Sequence, residues 1–123
     1  DYYIGEWIDS MADGYGLFVW MNGNIYEGCW QSFLRHGRGT EQYSNGDYYK
    51  GDFKFGYKGG IGEYFWVNGN YYRGNFKRGK KVGEGIWKKK IKDEDDEIYE
   101  GRYNKDVRNG KGVYYWPGGH KYK

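Results

Sequence analysis

The side chains best suited to chemistry are few and far apart. His36 and His120 could act as acid, base or metal ligand, but they fall in different stretches of the chain, each in a loop or turn context. Cys29 is the sole cysteine, so neither an intramolecular disulfide nor a cysteine-based zinc site can form. No neighbouring histidine pattern marks it as a nucleophile. Asp93, Glu94, Asp95, Asp96 and Glu97 form an acidic run, yet without the alternating spacing of a calcium loop, and they read as a solvated tip. The stretch GNFKRGKK (74–81) approaches a phosphate loop, but Lys81 stands where a magnesium-binding hydroxyl is needed and no helix follows. These residues predict no enzyme, no metal and no cofactor.

Composition turns attention to the frame. The 123 residues hold 23 glycines and 16 tyrosines, aromatics make up 23%, and Ala12 is the only alanine. Aromatic residues fit strands and glycine fits turns and close backbone approach, so the chain reads as all-β. No apolar run reaches the roughly 20 residues of a membrane-spanning helix and no signal peptide is visible. The expected setting is intracellular and cytoplasmic. The chain does not begin with methionine and reads as a fragment of a longer protein.

The aromatics and glycines are periodic. Tyr3, Tyr26, Tyr49 and Tyr72 follow one another at 23 residues, Tyr99 comes 27 after Tyr72, and Tyr122 comes 23 after Tyr99. Counting from each tyrosine as offset 0, glycine recurs at +2, +11 and +13 in all five units, and at +20 in four. The chain is therefore read as one domain, 1–123, of units 3–25, 26–48, 49–71, 72–98 and 99–121, with a sixth cut off at 122.

Within a unit, Tyr-x-Gly-x-aromatic reads as a short strand. A loop of about six residues, such as QSFLRH (31–36), follows it, and Gly-x-Gly opens a return strand. Segments such as MNGN (21–24) and SNGD (44–47) predict type I′ turns to the next unit. The expected architecture is an elongated single-layer antiparallel meander of five hairpins, ten strands and the start of an eleventh, curled into a trough. Period-2 alternation places 0, +2 and +4 on one face with +11, +13, +15 and +17. Glycine there leaves space for a neighbouring unit's ring.

This pattern resembles the MORN repeat (membrane occupation and recognition nexus), whose consensus runs Tyr-x-Gly-x-Trp, loop, Gly-x-Gly, aromatics, Gly turn. YEGCWQSFLRHGRGTEQYSNGDYY (26–49) follows it nearly end to end. Unit four departs from it, with Lys89 and Lys92 in place of an aromatic and the turn glycine, and the charged insert KKKIKDEDDE (88–97). The resemblance implies a non-catalytic scaffold at a cytoskeletal or membrane-associated site. It also leaves open a regulatory segment of a larger enzyme, since similar repeats flank phosphatidylinositol phosphate kinase and SET-type lysine methyltransferase domains.

Two surfaces follow. The return-strand rings Phe18, Trp20, Tyr43, Tyr64, Trp66, Trp87, Tyr114 and Trp116 are expected to line a trough that takes an extended or helical protein segment, because aromatic anchors dominate interfaces. Charge rises along the chain, by unit −4, −1, +1, +3 and +4. Lys77, Arg78, Lys80, Lys81, Lys88, Lys89, Lys90 and Lys92 are thus the alternative, a contact for anionic phospholipid or phosphoinositide. Nucleic acid ranks below both, and exposed edge strands offer a route to a homodimer.

Overall fold

The computed structural model describes residues 1–8, 11–90, 96–116 and 120–122. Its strands follow chain order: β1 (Tyr2–Ile8), β2 (Met11–Val19), β3 (Ile25–Gln31), β4 (Leu34–Gln42), β5 (Tyr48–Lys54), β6 (Tyr57–Phe65), β7 (Tyr71–Lys77), β8 (Lys80–Lys89), β9 (Glu97–Asn104), β10 (Val107–Trp116) and β11 (His120–Tyr122). They form one 11-stranded antiparallel sheet in the order β1 to β11, not closed into a barrel. The described residues contain no helix and no second layer opposing the sheet.

Register runs across the sheet without slip from unit to unit. Tyr3, Phe18, Tyr26, Glu41, Tyr49, Tyr64, Tyr72, Trp87, Tyr99, Tyr114 and Tyr122 are cross-strand partners in one continuous row. Beside it Gly5, Gly16, Gly28, Gly39, Gly51, Gly62, Gly74, Gly85, Gly101 and Gly112 form a second row. One unit is therefore displaced from the next by two strands at right angles to the strands, about 9.6 Å at the usual strand spacing.

The core lies between these rows. Tyr26, Tyr49 and Tyr72 are fully buried, and Trp30, Phe53, Phe76, Tyr99 and Tyr103 nearly so. Each offset-0 tyrosine folds over the glycines of its own unit. The Tyr49 hydroxyl donates to the carbonyl of Asp52 at 2.8 Å, and the equivalent bond recurs from Tyr3, Tyr26, Tyr72 and Tyr99. On that side the β5–β6 ladder is interrupted: pairing jumps from Gly51↔Gly62 to Phe53↔Lys58. A Cβ at Gly62 would sit 2.2 Å from the Tyr49 hydroxyl. The expectation that glycine makes room for a neighbouring unit's ring is thus corrected. The guest is the unit's own tyrosine, and neighbours contribute edge-on ring contacts such as Tyr26–Phe53 and Tyr49–Phe76, at 5.0 and 5.3 Å.

Both turns also differ from expectation. The six-residue loop closes instead as a two-residue turn, Ser32–Phe33, Phe55–Gly56, Arg78–Gly79 or Lys105–Asp106, with both residues at positive φ. That is the type I′ signature, which matches strand twist. The Asn-Gly segments, expected to be type I′, form three-residue loops. In one, Gly46 N–H donates to Tyr43 O, Tyr43 N–H donates to Asp47 O, and Gly46 alone has positive φ. This is the G1-bulge hairpin, where glycine supplies the one left-handed residue. Adjacent units are also tied at both ends. The second turn residue donates its N–H to the offset +9 carbonyl of the preceding unit, as Gly56 does to Arg35 and Gly79 to Lys58. At the other end Asn24, Asp47 and Asn70 accept from the backbone of Ser44, Val67 and Lys90.

Candidate functional site: the ring face

The return-strand rings gather on one face, as their spacing predicts. Phe18, Trp20, Tyr43, Tyr64, Trp66, Trp87 and Tyr114 all pack on the core cluster while remaining partly exposed. Within a strand they touch at +15 and +17, with Phe18–Trp20 at 4.7 Å and Tyr64–Trp66 at 4.6 Å. Between units, Tyr43 stacks on Tyr64 at 5.8 Å. The backbone of Trp116 lies in β10, and its side chain falls outside the described part.

What the sequence reading missed is a row of cations over these rings. Offset +9 is Arg35, Lys58, Lys81 and Arg108 in units two to five, and the buried Ala12 in unit one. Each pairs in register with an offset +4 ring or its equivalent: Arg35 with Trp30, Lys58 with Phe53, Lys81 with Phe76, Arg108 with Tyr103. Their heads lean over rings further along the sheet. The Lys58 ammonium lies 5.7–5.9 Å from the ring centroids of Tyr43, Tyr49 and Tyr64. Lys81 sits at 5.6–5.7 Å from those of Trp66, Tyr72 and Tyr103. The Arg108 guanidinium sits 4.6–4.8 Å from those of Trp87, Tyr99 and Tyr114. Attraction to a ring face is worth about 0.5–2 kcal/mol per pair, depending on desolvation. The signal was present in the alternation, since +9 continues +11, +13 and +15. The sequence hides it because these positions read as part of a six-residue loop.

Charges on this face are only partly balanced. Glu41, at the +15 position where most units carry a ring, is buried and pairs with Arg35. Lys81 lies 3.6 Å from Asp106, a half-exposed turn residue. Lys58 and Arg108 have no carboxylate within bridging distance among the described residues. Burial holds the Lys58 ammonium below its ordinary pKa, against the pull of Glu41. Burial likewise pushes the Tyr43, Tyr49, Tyr64 and Tyr72 phenols above theirs. Between successive cations a depression of about 210 Å³ is lined by Lys58, Tyr64, Trp66, Phe76, Lys81 and Asp106.

The basic residues picked out in unit four do not share a face. Lys81 belongs to the ring face, while Lys88 lies over Tyr71 at 5.8 Å, in the cross-strand row Tyr71, Lys88, Ile98. Lys77, Arg78 and Lys80 cluster at one turn. Lys89 and Lys90 lie at the far end of β8, where Lys90 reaches Asp96 at 3.9 Å. Lys92 and the acidic residues 93–95 lie outside the described residues. The His36 imidazole accepts from Phe55 N–H at 3.2 Å, a bond that holds the turn. Cys29 is partly buried, and no group of His, Cys, Asp or Glu suited to a metal occurs among the described residues.

Fold and surface together define a single-layer β repeat array, built to present one ring-lined face. The chain belongs to the MORN repeat family, whose profile matches residues 3–25, 26–48, 49–71, 72–90 and 99–121. MORN repeats are in general non-catalytic repeat modules. Among curated proteins, none matches the chain.

Proposed function

We propose that this array is a protein-interaction module that receives a segment of a partner protein on its ring face. The observation that carries the reading is the division of labour among the aromatics. In units two to five the offset-0 and +4 rings are consumed by the core, whereas Tyr43, Tyr64, Trp66 and Trp87 pack against it and stay partly exposed beside the cations. Rings held rigidly by a core lose little entropy on binding, which is what makes aromatic anchors effective. Panning a displayed peptide library on the chain tests this. Binders should be lost by a Trp66→Ala/Trp87→Ala variant that keeps its far-ultraviolet spectrum, and restored by Trp66→Phe/Trp87→Phe. Binders that the folded alanine variant retains would place the interaction elsewhere.

A second reading concerns the edge formed by the two-residue turns. Phe33, Leu34, Phe55, Tyr57 and Val107 are exposed there, Phe55 at 66%, among Lys54, Lys77, Arg78, Lys80 and Lys105. Apolar tips among cations suit an anionic membrane surface. Flotation with phosphatidylserine vesicles should then fall with salt and with Phe55→Ser/Arg78→Ser. Recovery unchanged by either would exclude this edge.

A further inference from the structure

We infer that the segment received on the ring face is a polyproline II stretch carrying a carboxylate at every third residue, laid across the strands along the row Lys58, Lys81, Arg108. The inference rests on the proposed reading of the ring face and supplies the ligand's chemistry and period.

The chemistry follows from charge. A ligand on the ring face of units three to five meets cations set among the rings, because an ammonium or guanidinium lies 4.6–5.9 Å from the ring centroids there. A cationic segment is repelled, and a purely apolar one would strand those charges under it. The chain itself displays the complementary group. The Glu41 carboxylate pairs with Arg35 and Asp106 approaches Lys81, while Lys58 and Arg108 lack a carboxylate within bridging distance among the described residues. A ligand carboxylate at Lys58 and Arg108 would repeat what Glu41 does for Arg35, and one at Lys81 would add to the exposed Asp106.

The period follows from register. Because the tyrosine and glycine rows cross the sheet without slip, successive offset +9 residues are two strands apart, about 9.6 Å. Polyproline II advances about 9.3 Å per three-residue turn and presents residues i, i+3 and i+6 on one side. An extended strand returns to the same side every two residues, about 6.7 Å, and cannot keep step. An α-helix comes back after seven residues, about 10.5 Å, and drifts by about 0.9 Å per unit, three times the polyproline II mismatch. Between carboxylates, the depression beside Tyr64 and Trp66 offers aromatic walls of the kind on which proline rings dock. A flat membrane surface has neither this period nor access to ammonium groups set among rings.

The test uses the whole chain and synthetic peptides, read by fluorescence anisotropy at two salt concentrations. Labelled (Glu-Pro-Pro)4 should bind, with affinity falling as salt rises. A permuted peptide of the same composition, (Glu-Glu-Pro-Pro-Pro-Pro)2, and (Lys-Pro-Pro)4 should each bind at least tenfold more weakly. Lys58→Gln/Lys81→Gln should weaken (Glu-Pro-Pro)4 at least tenfold and flatten its salt dependence, with the far-ultraviolet spectrum unchanged. The inference is overturned if (Glu-Pro-Pro)4 does not bind, if the permuted peptide binds equally, or if the double Gln variant binds like the parent. It is also overturned if the ring-face cations prove necessary only for capture on phosphatidylserine vesicles. In each of these cases, library binders that still depend on Trp66 and Trp87 would keep the ring-face reading intact.

Discussion

At the scale of single residues, the repeat is a tyrosine that closes its own unit. Tyr49 lies over Gly51 and Gly62 and donates to the carbonyl of Asp52, where the β5–β6 ladder is interrupted. Tyr49→Phe keeps the ring and loses that bond, so it should cost about 1 kcal/mol in urea unfolding. Gly62→Ala drives a methyl into the phenol and should cost more, about 1–3 kcal/mol. The reverse order would mean that the ring does not rest on the glycine. Burial also raises the pKa of the Tyr26, Tyr43, Tyr49, Tyr64 and Tyr72 phenols, and takes Tyr71, beside Glu63, up to about 12. Such groups keep their protons in the folded state while the unfolded chain gives them up from pH 10. Stability should therefore fall as pH rises above 10. Lys58 works oppositely, its depressed pKa adding stability as pH rises towards 10.5, but one lysine is outnumbered. Absorbance titration at alkaline pH should show a delayed class of tyrosines that ionises together with unfolding. All 16 titrating together near 10 would contradict the burial described.

At the scale of elements, alternation and glycine spacing make strand order and the facing of the rings legible in the sequence, whereas the register within each hairpin depends on a two-residue turn that the sequence does not mark. Period-2 patterns in short strands bounded by glycine turns leave few alternatives, and a fixed repeat removes most of those. Turn types were less legible. Asn-Gly is the familiar type I′ sequence, yet here it sits one place along, in a loop where glycine alone is left-handed. The type I′ turns carry Ser-Phe, Phe-Gly, Arg-Gly and Lys-Asp, and only the repeated fold reveals them. Stacking bonds from Gly56 to Arg35 and from Gly79 to Lys58 help to hold those turns in place, so tertiary context overrides local preference. Arg78 has φ of 51° without the side chain best suited to it. Arg78→Asn should raise stability by about 0.5–1 kcal/mol, because asparagine tolerates the left-handed region. A loss of stability on that change would show that the Arg78 side chain contributes to the turn edge.

At the scale of the whole molecule, the described residues form a sheet with no second layer, which supports its core with rings laid over its own glycine backbone. That leaves one face with spare aromatic surface, and the sequence indicated this through Trp20, Tyr43, Trp66 and Trp87. The cation row is harder to see in the sequence, although it obeys the same alternation, because Arg35, Lys58, Lys81 and Arg108 fall in stretches that read as loop. The two faces now differ in kind. One carries rings bridged by cations, and the other carries Tyr48, Phe65 and Tyr71 in a half-exposed stripe beside charged residues. The most direct test of a ring-face docking surface is backbone and indole amide shift mapping of the labelled chain, titrated with a segment selected by library panning. The account predicts that the largest changes run along Lys58, Tyr64, Trp66, Lys81 and Trp87. Changes confined to the Tyr48–Phe65–Tyr71 stripe, or to the turn edge around Phe55 and Arg78, would contradict it.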